Sequence, residues 1–366
     1  MSDLKKHLSV YFPVFNEKRK NRYFSPSLSE YVSSKMALIR RLFVRDKMKF
    51  RDEIEQAEQE EAQELKPTKR QSLKRKRFAV KFAALPEEMS REGGQLTITE
   101  SLDSDQMEAL KTLKGLVADE SNLYIGEDDR VLMRYLRCTN FNPDKAFYRM
   151  KSVYTLKANN PNWYPDGRPL KEYSWLLDKH VHHLLSSRDS KGRKVYLVKL
   201  GNIAVDEMPP NCLSQIDDLW LEGALDEPET QKNGMAFILD FKNTSWKIMK
   251  YITKDVVTVG TKKAEMVPLR HMEYHLINYG MFINAIVSFV FPFLSAESKK
   301  CIHFHKSSMK ELHKFVDPMV LPPEYGGVGP ELDPEQLQQY IFENESRLKE
   351  LFSFGYQTEK KDKGDS

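Results

Sequence analysis

The pattern of apolar and polar residues divides the chain into a helical stretch followed by strands that alternate with helices. Between 101 and 160, apolar residues from Met107 to Val117 recur at helical spacing, and Ser104 stands where an N-cap is expected. A second helix is predicted at EDDRVLMRYLRC and a third from Pro143. Three short helices in succession predict a small helical lobe.

After the lobe, strand-like runs occur at 194–200, 234–241 and 272–278. The segments between them, CLSQIDDLWLEGALDEPETQ and SWKIMKYITKDVVTVGTKKAE, have helical patterns. Strands that alternate with helices predict an α/β fold, in which a mainly parallel sheet is flanked by helices. Strand alternation places Met235, Phe237 and Leu239 on one face of that sheet.

The segment 281–295, MFINAIVSFVFPFLS, is apolar on nearly all sides of a helix. One stripe contains Ile283, Ile286, Val287, Val290 and Leu294, and the neighbouring stripe contains Phe282, Ala285, Phe289 and Phe293. The segment is too short and too polar at three positions to span a bilayer. It is either a fully buried core helix, or a lid that covers an apolar ligand with one face and meets the membrane with the other.

Charge is distributed unevenly along the 366 residues. Residues 1–95 contain 22 Lys and Arg and 14 Asp and Glu, which gives a net charge of +8. Residues 96–366 have a net charge of about −4. A marginal helix is predicted over 34–66, followed by the basic run KPTKRQSLKRKR. Such a run serves as a nuclear signal, a nucleic-acid patch, an anchor to anionic lipid or a solvated tail. Because no aromatic platform accompanies it, no nucleic-acid partner is expected.

Composition and motifs exclude several classes of protein. Three scattered cysteines argue against a disulfide framework, and the first residues lack the apolar core of a secretory signal, so a cytoplasmic location is expected. No GxSxG, P-loop or HExxH motif occurs, and GGVG at 326–329 indicates a tight turn. His303 and His305 share a strand face, but no further ligand completes a zinc site. The sequence therefore predicts no enzyme, no cofactor and no metal.

Six blocks of sequence between about 100 and 330 occur in the same order as in a known protein family. They are EDDRVLMRYLRCTNFNPDKA, DSKGRKVYLVKLG, EPETQKNGMAFILDF, VPLRHMEYHLIN, FPFLSAESKKCIHFH and LPPEYGG. The chain resembles the CRAL-TRIO lipid-binding family, and within it the branch of alpha-tocopherol transfer protein, cellular retinaldehyde-binding protein and the clavesins. The resemblance implies a helical lobe (96–165) followed by a lipid-binding domain (166–330). Outside the region of resemblance, the pattern predicts a poorly ordered or marginally helical leader (1–95), which has no counterpart in the family, and a C-terminal helix with a charged tail (331–366).

The resemblance also implies a gated apolar pocket. Its gate would be the segment Met281–Leu294, which we call the gate segment. The predicted pocket residues are Leu221, Met235, Phe237, Leu239, Leu269, Tyr274, Leu276, Ile283, Ile286, Val287 and Val290. The predicted membrane-facing residues of the gate are Phe282, Phe289 and Phe293.

Transfer proteins of this branch are expected to exchange their cargo against phosphoinositide headgroups. The residues predicted to hold a headgroup are Arg270, Lys262, Lys263, Lys299 and Lys300. Met272, Glu297 and Cys301 stand where the tocopherol carrier has basic residues, which is a departure from the family pattern.

The leading functional hypothesis is a monomeric cytoplasmic carrier of a hydrophobic small molecule, of the tocopherol, retinoid or phospholipid class, that associates transiently with anionic or phosphoinositide-containing membranes. The alternative is a membrane-recruited scaffold that keeps this fold and uses the basic leader as a docking segment. A lipid bound to the purified protein distinguishes the two.

Overall fold

The computed structural model describes residues 102–126, 128–280 and 283–357. The predictions for the leader 1–95 lie outside the described residues, as do Met281 and Phe282 of the gate segment. The tail beyond residue 357 is outside them as well.

The helical lobe consists of α1 (Ser104–Ala118), α2 (Asp129–Cys138) and α3 (Pro143–Asn159). The N-cap of α1 is Asp103 and not Ser104, as predicted. The Asp103 carboxylate accepts a hydrogen bond from the Gln106 N–H at 2.8 Å, and the Gln106 side chain accepts one from the Asp103 N–H. This reciprocal arrangement satisfies two N–H groups that would otherwise lack partners at the helix start. Asn142 caps α3 immediately before the predicted Pro143.

The sheet has five strands in the order β2-β3-β4-β5-β6. They are β2 (His182–Arg188), β3 (Lys194–Lys199), β4 (Met235–Asp240), β5 (Met272–Ile277) and β6 (Ile302–Lys306). Strand β2 is antiparallel to β3, and the other three pairs are parallel. The predicted α/β fold with a mainly parallel sheet is confirmed.

Helices cover both faces of the sheet. They are α4 (Ser174–Leu177), α5 (Pro210–Asp226), α6 (Pro228–Asn233), α7 (Lys254–Met266), α8 (Ile283–Val290), α9 (Ala296–Lys300) and α10 (Met309–Leu312). Short 3-10 turns lie at Pro161–Trp163, Leu170–Tyr173, Leu200–Asn202, Trp246–Tyr251, Phe291–Phe293 and Pro323–Tyr325. On one face, Met235 and Phe237 pack with α5. On the other, Ala236 and Ile238 pack with Leu312 of α10.

The end of the described chain returns to the lobe. Helices α11 (Pro334–Glu343) and α12 (Glu345–Ser353) precede β7 (Gly355–Tyr356), which pairs antiparallel with β1 (Leu123–Tyr124). Leu351 and Phe354 are buried in the same apolar cluster as the lobe helices. Residues almost 200 positions apart in sequence thus complete one hydrophobic core.

Buried ion pairs connect the lobe to the sheet domain. Arg134 of α2 is almost fully buried and donates to Glu222 at 2.6 Å and to Asp226 at 3.3 Å, both on α5. Arg347 of α12 bonds the same Asp226 at 2.8 Å. A buried charge that loses its partner costs several kcal/mol, so these contacts restrict how the elements can be arranged.

Candidate functional site

On the face of the sheet that packs with α5, strands β4 and β5 present two in-register rows of apolar side chains. Phe237 of β4 lies opposite Tyr274 of β5, and Leu239 opposite Leu276. The Phe237 and Tyr274 rings stack with centroids 4.7 Å apart. The alternation that places these side chains on one face was predicted from the sequence.

Helix α8 of the gate segment lies over this face. Ile283 and Val287 are buried in a small cluster with Phe241 and Leu276, while Asn284 is exposed. The α-helix ends at Val290 because Pro292 follows, and the chain continues as the 3-10 turn Phe291–Phe293. The gate segment is therefore a two-turn helix with a kinked extension and not one continuous helix.

Four apolar side chains mark incomplete packing under α8. Leu200, Leu239, Tyr274 and Ile286 each contact both the large cluster on α5 and the small cluster under α8, yet all four are only partly buried. Leu239 belongs to the central strand β4, where an apolar side chain covered by a helix is ordinarily buried. The exposed surface of these side chains indicates a hollow between the sheet and α8.

The eleven predicted pocket residues differ in their burial. Buried among them are Leu221, Met235, Phe237 and Leu269 in the large cluster, and Leu276, Ile283 and Val287 in the small one. Partly buried are Leu239, Tyr274, Ile286 and Val290. Two clefts elsewhere on the protein, of about 560 and 600 Å³, are lined by none of these eleven residues.

A polar group that the sequence reasoning missed lies on the same side of the sheet. Tyr196 of β3 donates to Asp217 of α5 at 2.8 Å, and the buried His182 lies 3.8 Å from that carboxylate. Burial and the nearby Asp217 raise the pKa of Tyr274, so its hydroxyl stays protonated. The available signal was the acidic pair Asp217 and Asp218, which lies between the apolar residues Ile216 and Leu219 of α5.

Phe289, which is predicted to face the membrane when the gate opens, is buried in this conformation. Its side chain is 4% exposed and lies near Phe293, with ring centroids 6.1 Å apart. Phe293 is half-buried, and Phe282 lies outside the described residues. Because both faces of the gate segment are apolar, spacing alone did not indicate which stripe contacts the protein.

One predicted headgroup residue has a different role. Lys263 of α7 is largely buried and donates to Asp218 at 2.7 Å, to the Ser214 hydroxyl at 2.6 Å and to the Trp163 carbonyl at 3.1 Å. Burial raises the pKa of Asp218 to about 7, an effect that Lys263 opposes. Lys263 therefore ties α7 to α5 and is not available to a headgroup, which corrects the prediction.

The other four predicted headgroup residues are exposed. Arg270, Lys262, Lys299 and Lys300 form no side-chain hydrogen bond or ion pair with the described part of the protein. Lys262 also lines the 600 Å³ cleft between α3 and α7. Helix α9, which carries Lys299 and Lys300, is anchored to α7 through Glu265, which accepts from the Ser295 N–H at 2.6 Å and from the Ser298 hydroxyl at 3.0 Å.

Histidines cluster on the opposite face of the sheet. His275 Nδ1 lies 3.1 Å from His305 Nε2, and the His303 ring stacks on His275 with centroids 5.2 Å apart. Burial is the main cause of the lowered pKa of all three. Within the described ranges, no group of three or more His, Cys, Asp or Glu residues is arranged to hold a metal ion.

Comparison with known proteins gives three findings. Residues 178–327 match the CRAL/TRIO domain. The chain is 27% identical to clavesin-1 of Rattus norvegicus over 215 residues, 57% of this chain and 60% of that protein. It is 24% identical to clavesin-2 of Homo sapiens over 212 residues, 57% of this chain and 65% of that protein. The match thus spans about three fifths of the relatives' length.

A solved structure is also similar. The crystal structure of Sfh5 aligns with a TM-score of 0.43 and 14% identity, covering 65% of this chain and 92% of that one. Among the described helices, none has the length and hydrophobicity required to cross a bilayer.

Proposed function

Because the chain carries a CRAL/TRIO domain and is distantly homologous to the clavesins, we propose that it binds a hydrophobic small molecule in the hollow under α8 and carries it between membranes. The observation that supports this most directly is the partial exposure of Leu239, an apolar residue on the central strand beneath a helix. Apolar surface left accessible inside a protein is stabilised when an apolar ligand covers it, at about 25 cal/mol per Å².

The cargo in this proposal is a lipid-like molecule with one polar end, of the tocopherol, retinoid or phospholipid class. Leu239, Ile286 and the ring of Tyr274 would cover its apolar body. The Tyr274 hydroxyl, which forms no hydrogen bond within the described residues, is available to a polar group of the ligand. Apolar contacts discriminate weakly between chain lengths, so the hydrogen-bonding group contributes most of the selectivity.

Cargo exchange requires contact with a membrane, and we assign this to the gate side of the domain. Arg270, Lys262, Lys299 and Lys300 are exposed and unpaired within the described residues, as phosphate-binding cations must be. Opening of α8 would expose the buried Phe289 to lipid. In this proposal the protein is a cytoplasmic monomer without catalytic activity that binds phosphoinositide-containing membranes transiently.

A second candidate function is a membrane-recruited scaffold, and one observation favours it. Seven of the eleven predicted pocket side chains are buried by packing against other side chains of the protein, as in a core that is filled by its own residues. In this alternative the fold provides surfaces for other proteins, and the basic leader provides the attachment.

Native mass spectrometry of the full-length protein, followed by lipid extraction, distinguishes the two. We expect a stoichiometric lipid-like ligand that dissociates when the protein is denatured. Recovery of no ligand, together with no uptake of a fluorescent retinoid, tocopherol or phospholipid analogue, would contradict the carrier function and favour the scaffold.

A further inference from the structure

The carboxyl ends of β4, β5 and β6 border a cleft of about 560 Å³ that the proposed function does not use. Ligands of open α/β sheets commonly bind outside this edge, and the volume lies within the range of small-molecule sites. The polar and charged residues that line the cleft are Asp240, Lys242, Asn243, Asn278, Lys306, Ser307 and Glu324, together with Tyr279 and Tyr325.

The floor of the cleft is a fixed hydrogen-bond network around one buried carboxylate. Asp240 accepts from the Lys242 N–H at 2.9 Å, from the Asn278 side-chain amide at 2.8 Å and from the Tyr325 hydroxyl at 2.9 Å. Burial is the main cause of the raised pKa of Tyr325, so this hydroxyl remains a donor. Asp240 is 5% exposed and already accepts three hydrogen bonds, so it holds the strand ends in place and leaves little surface to a ligand.

The rim of the cleft, in contrast, carries unused donors. Lys242 and Lys306 are exposed, and neither ammonium group has a hydrogen bond or ion pair within the described part of the chain. The other acidic residue of the lining, Glu324, is already paired with Lys199 at 2.7 Å. The two rim lysines therefore outnumber the one lining carboxylate, Asp240, that has no cationic partner among the described residues.

Main-chain groups add to these donors. The N–H groups of Asn243, Tyr279 and Ser307 have no acceptor among the described residues. Asn278 and Lys306 adopt left-handed backbone conformations, with φ of 53° for each, which turns the chain sharply at the ends of β5 and β6. Main-chain N–H groups at such turns, together with lysine, are the usual ligands of phosphate.

We propose that this strand-end cleft binds a phosphate group carried on a small polyol. Lys242 and Lys306 would bind the phosphate, and the Asn243 and Ser307 side chains would hydrogen-bond the hydroxyls. The site is separate from the basic residues around the gate segment. It includes Tyr279 and Gly280, which follow β5 directly.

The test uses the full-length protein and three probes: inorganic phosphate, soluble inositol 1-phosphate, and phosphatidylcholine vesicles with or without phosphatidylinositol 4-phosphate. The double variant Lys242→Gln, Lys306→Gln removes both cleft cations. The matched control, Lys171→Gln, Lys254→Gln, removes two exposed lysines outside the cleft. We expect the cleft variant to bind inositol 1-phosphate or the phosphoinositide vesicles at least tenfold more weakly than the natural protein, and the control to bind as the natural protein does.

The arms of the experiment separate the possible sources of the phosphate. Binding of the soluble probe indicates a free metabolite, and binding only to vesicles indicates a lipid headgroup; in either case loss of binding in the cleft variant supports the site. If no phosphate probe binds the natural protein, or if the cleft variant binds as well as the control, the proposal is wrong. Uptake of a fluorescent apolar ligand, measured in parallel, reports on the carrier function independently.

Discussion

At the scale of single residues, His275 is a fully buried titratable group on the face of the sheet that carries the histidine cluster. Its side chain is fully buried, and its Nε2 atom has no hydrogen-bond partner. Its pKa is lowered to about 3, first by burial and then by the neighbouring His305 and His303. An imidazole in such surroundings favours the neutral form, because burial removes the hydration of the imidazolium and the nearest carboxylate, Glu273 at 3.7 Å from Nε2, is already paired with Arg193.

This histidine predicts a pH dependence of stability. A histidine in the unfolded chain titrates near pH 6.5. Between that pH and the folded pKa the unfolded chain binds the extra proton, so stability is present above about pH 6.5 and is lost as pH falls. The loss approaches about 1.4 kcal/mol per pH unit for one such group.

We expect His275→Gln to reduce the dependence of the free energy of unfolding on pH between about 6.5 and 4.5, measured by urea titration. His271→Gln, at an exposed position next to the same strand, is the control and should leave the slope unchanged. A slope in His275→Gln as steep as in the natural protein would mean that other groups account for the acid sensitivity.

Leu239 gives a second prediction at this scale. If the hollow admits a ligand, Leu239→Trp should fill it and reduce uptake of a fluorescent apolar ligand at least tenfold, at a packing cost of about 1–3 kcal/mol. Leu332→Trp places the same substitution at a partly buried leucine that packs against the opposite face of the sheet. Uptake should be normal in that control, and equal uptake by both variants would remove Leu239 from the pocket.

At the scale of elements, the gate segment combines a short helix, a proline and buried aromatic rings. Phe289 is buried on a two-turn helix that ends at Val290. A buried, unpaired carboxylate costs several kcal/mol, and the least costly relief is local opening of the segment that carries it. We therefore expect Phe289→Asp to increase hydrogen exchange in residues 283–294 while the sheet keeps its protection.

The control for this variant is Asn284→Asp, which places the same carboxylate at the exposed position of α8 and should leave exchange unchanged. A uniform loss of protection in Phe289→Asp, extending through β3 and β4, would show that α8 is an inseparable part of the core and not a gate.

Much of this arrangement could be predicted from local sequence. Period-two alternation places Met235, Phe237 and Leu239 on one face, because side chains on a strand must alternate whatever the surroundings. The mainly parallel sheet and the N-terminal helical lobe follow from the element pattern and the family resemblance, and both agree with the structure.

What could not be predicted depends on contacts between distant residues. Lys263 resembles any basic residue on a helix until Asp218, 45 positions earlier, is seen beside it. Phe289 lies in one of two equally apolar stripes, so its orientation depends on the sheet and not on its own helix. The strand-end cleft gives no local signal at all, because its residues come from three strand ends that only the folded sheet brings together.

At the scale of the whole molecule, charge is the property that separates the leader from the rest. Residues 1–95 have a net charge of +8, and residues 96–366 have a net charge of about −4. Each Lys or Arg near an anionic membrane contributes about 1 kcal/mol, and the attraction decays over a Debye length of about 8–10 Å. Electrostatic attraction to a membrane should therefore reside in the leader.

We expect deletion of residues 1–95 to reduce sedimentation with vesicles that contain anionic lipid and to leave the affinity for the hydrophobic ligand unchanged. The difference between the two forms should shrink at high salt, because exposed charges are screened. If full-length and truncated protein sediment equally at low salt, the leader is a solvated tail or a protein-docking segment, and the scaffold hypothesis gains support.

The return of the chain to its own first lobe has a consequence for biosynthesis. Domains generally fold from the N-terminus as they leave the ribosome. The lobe that emerges first, however, lacks Leu351 and Phe354 of its core and the β7 partner of β1 until synthesis has passed residue 356. From the end of α3 at Asn159 until β7 begins at Gly355, about 195 residues later, α1, α2 and α3 expose an unfinished apolar surface. We therefore expect the nascent chain to need chaperones, and a premature stop only a few codons before Phe354 to leave this lobe unfinished although its own sequence is intact.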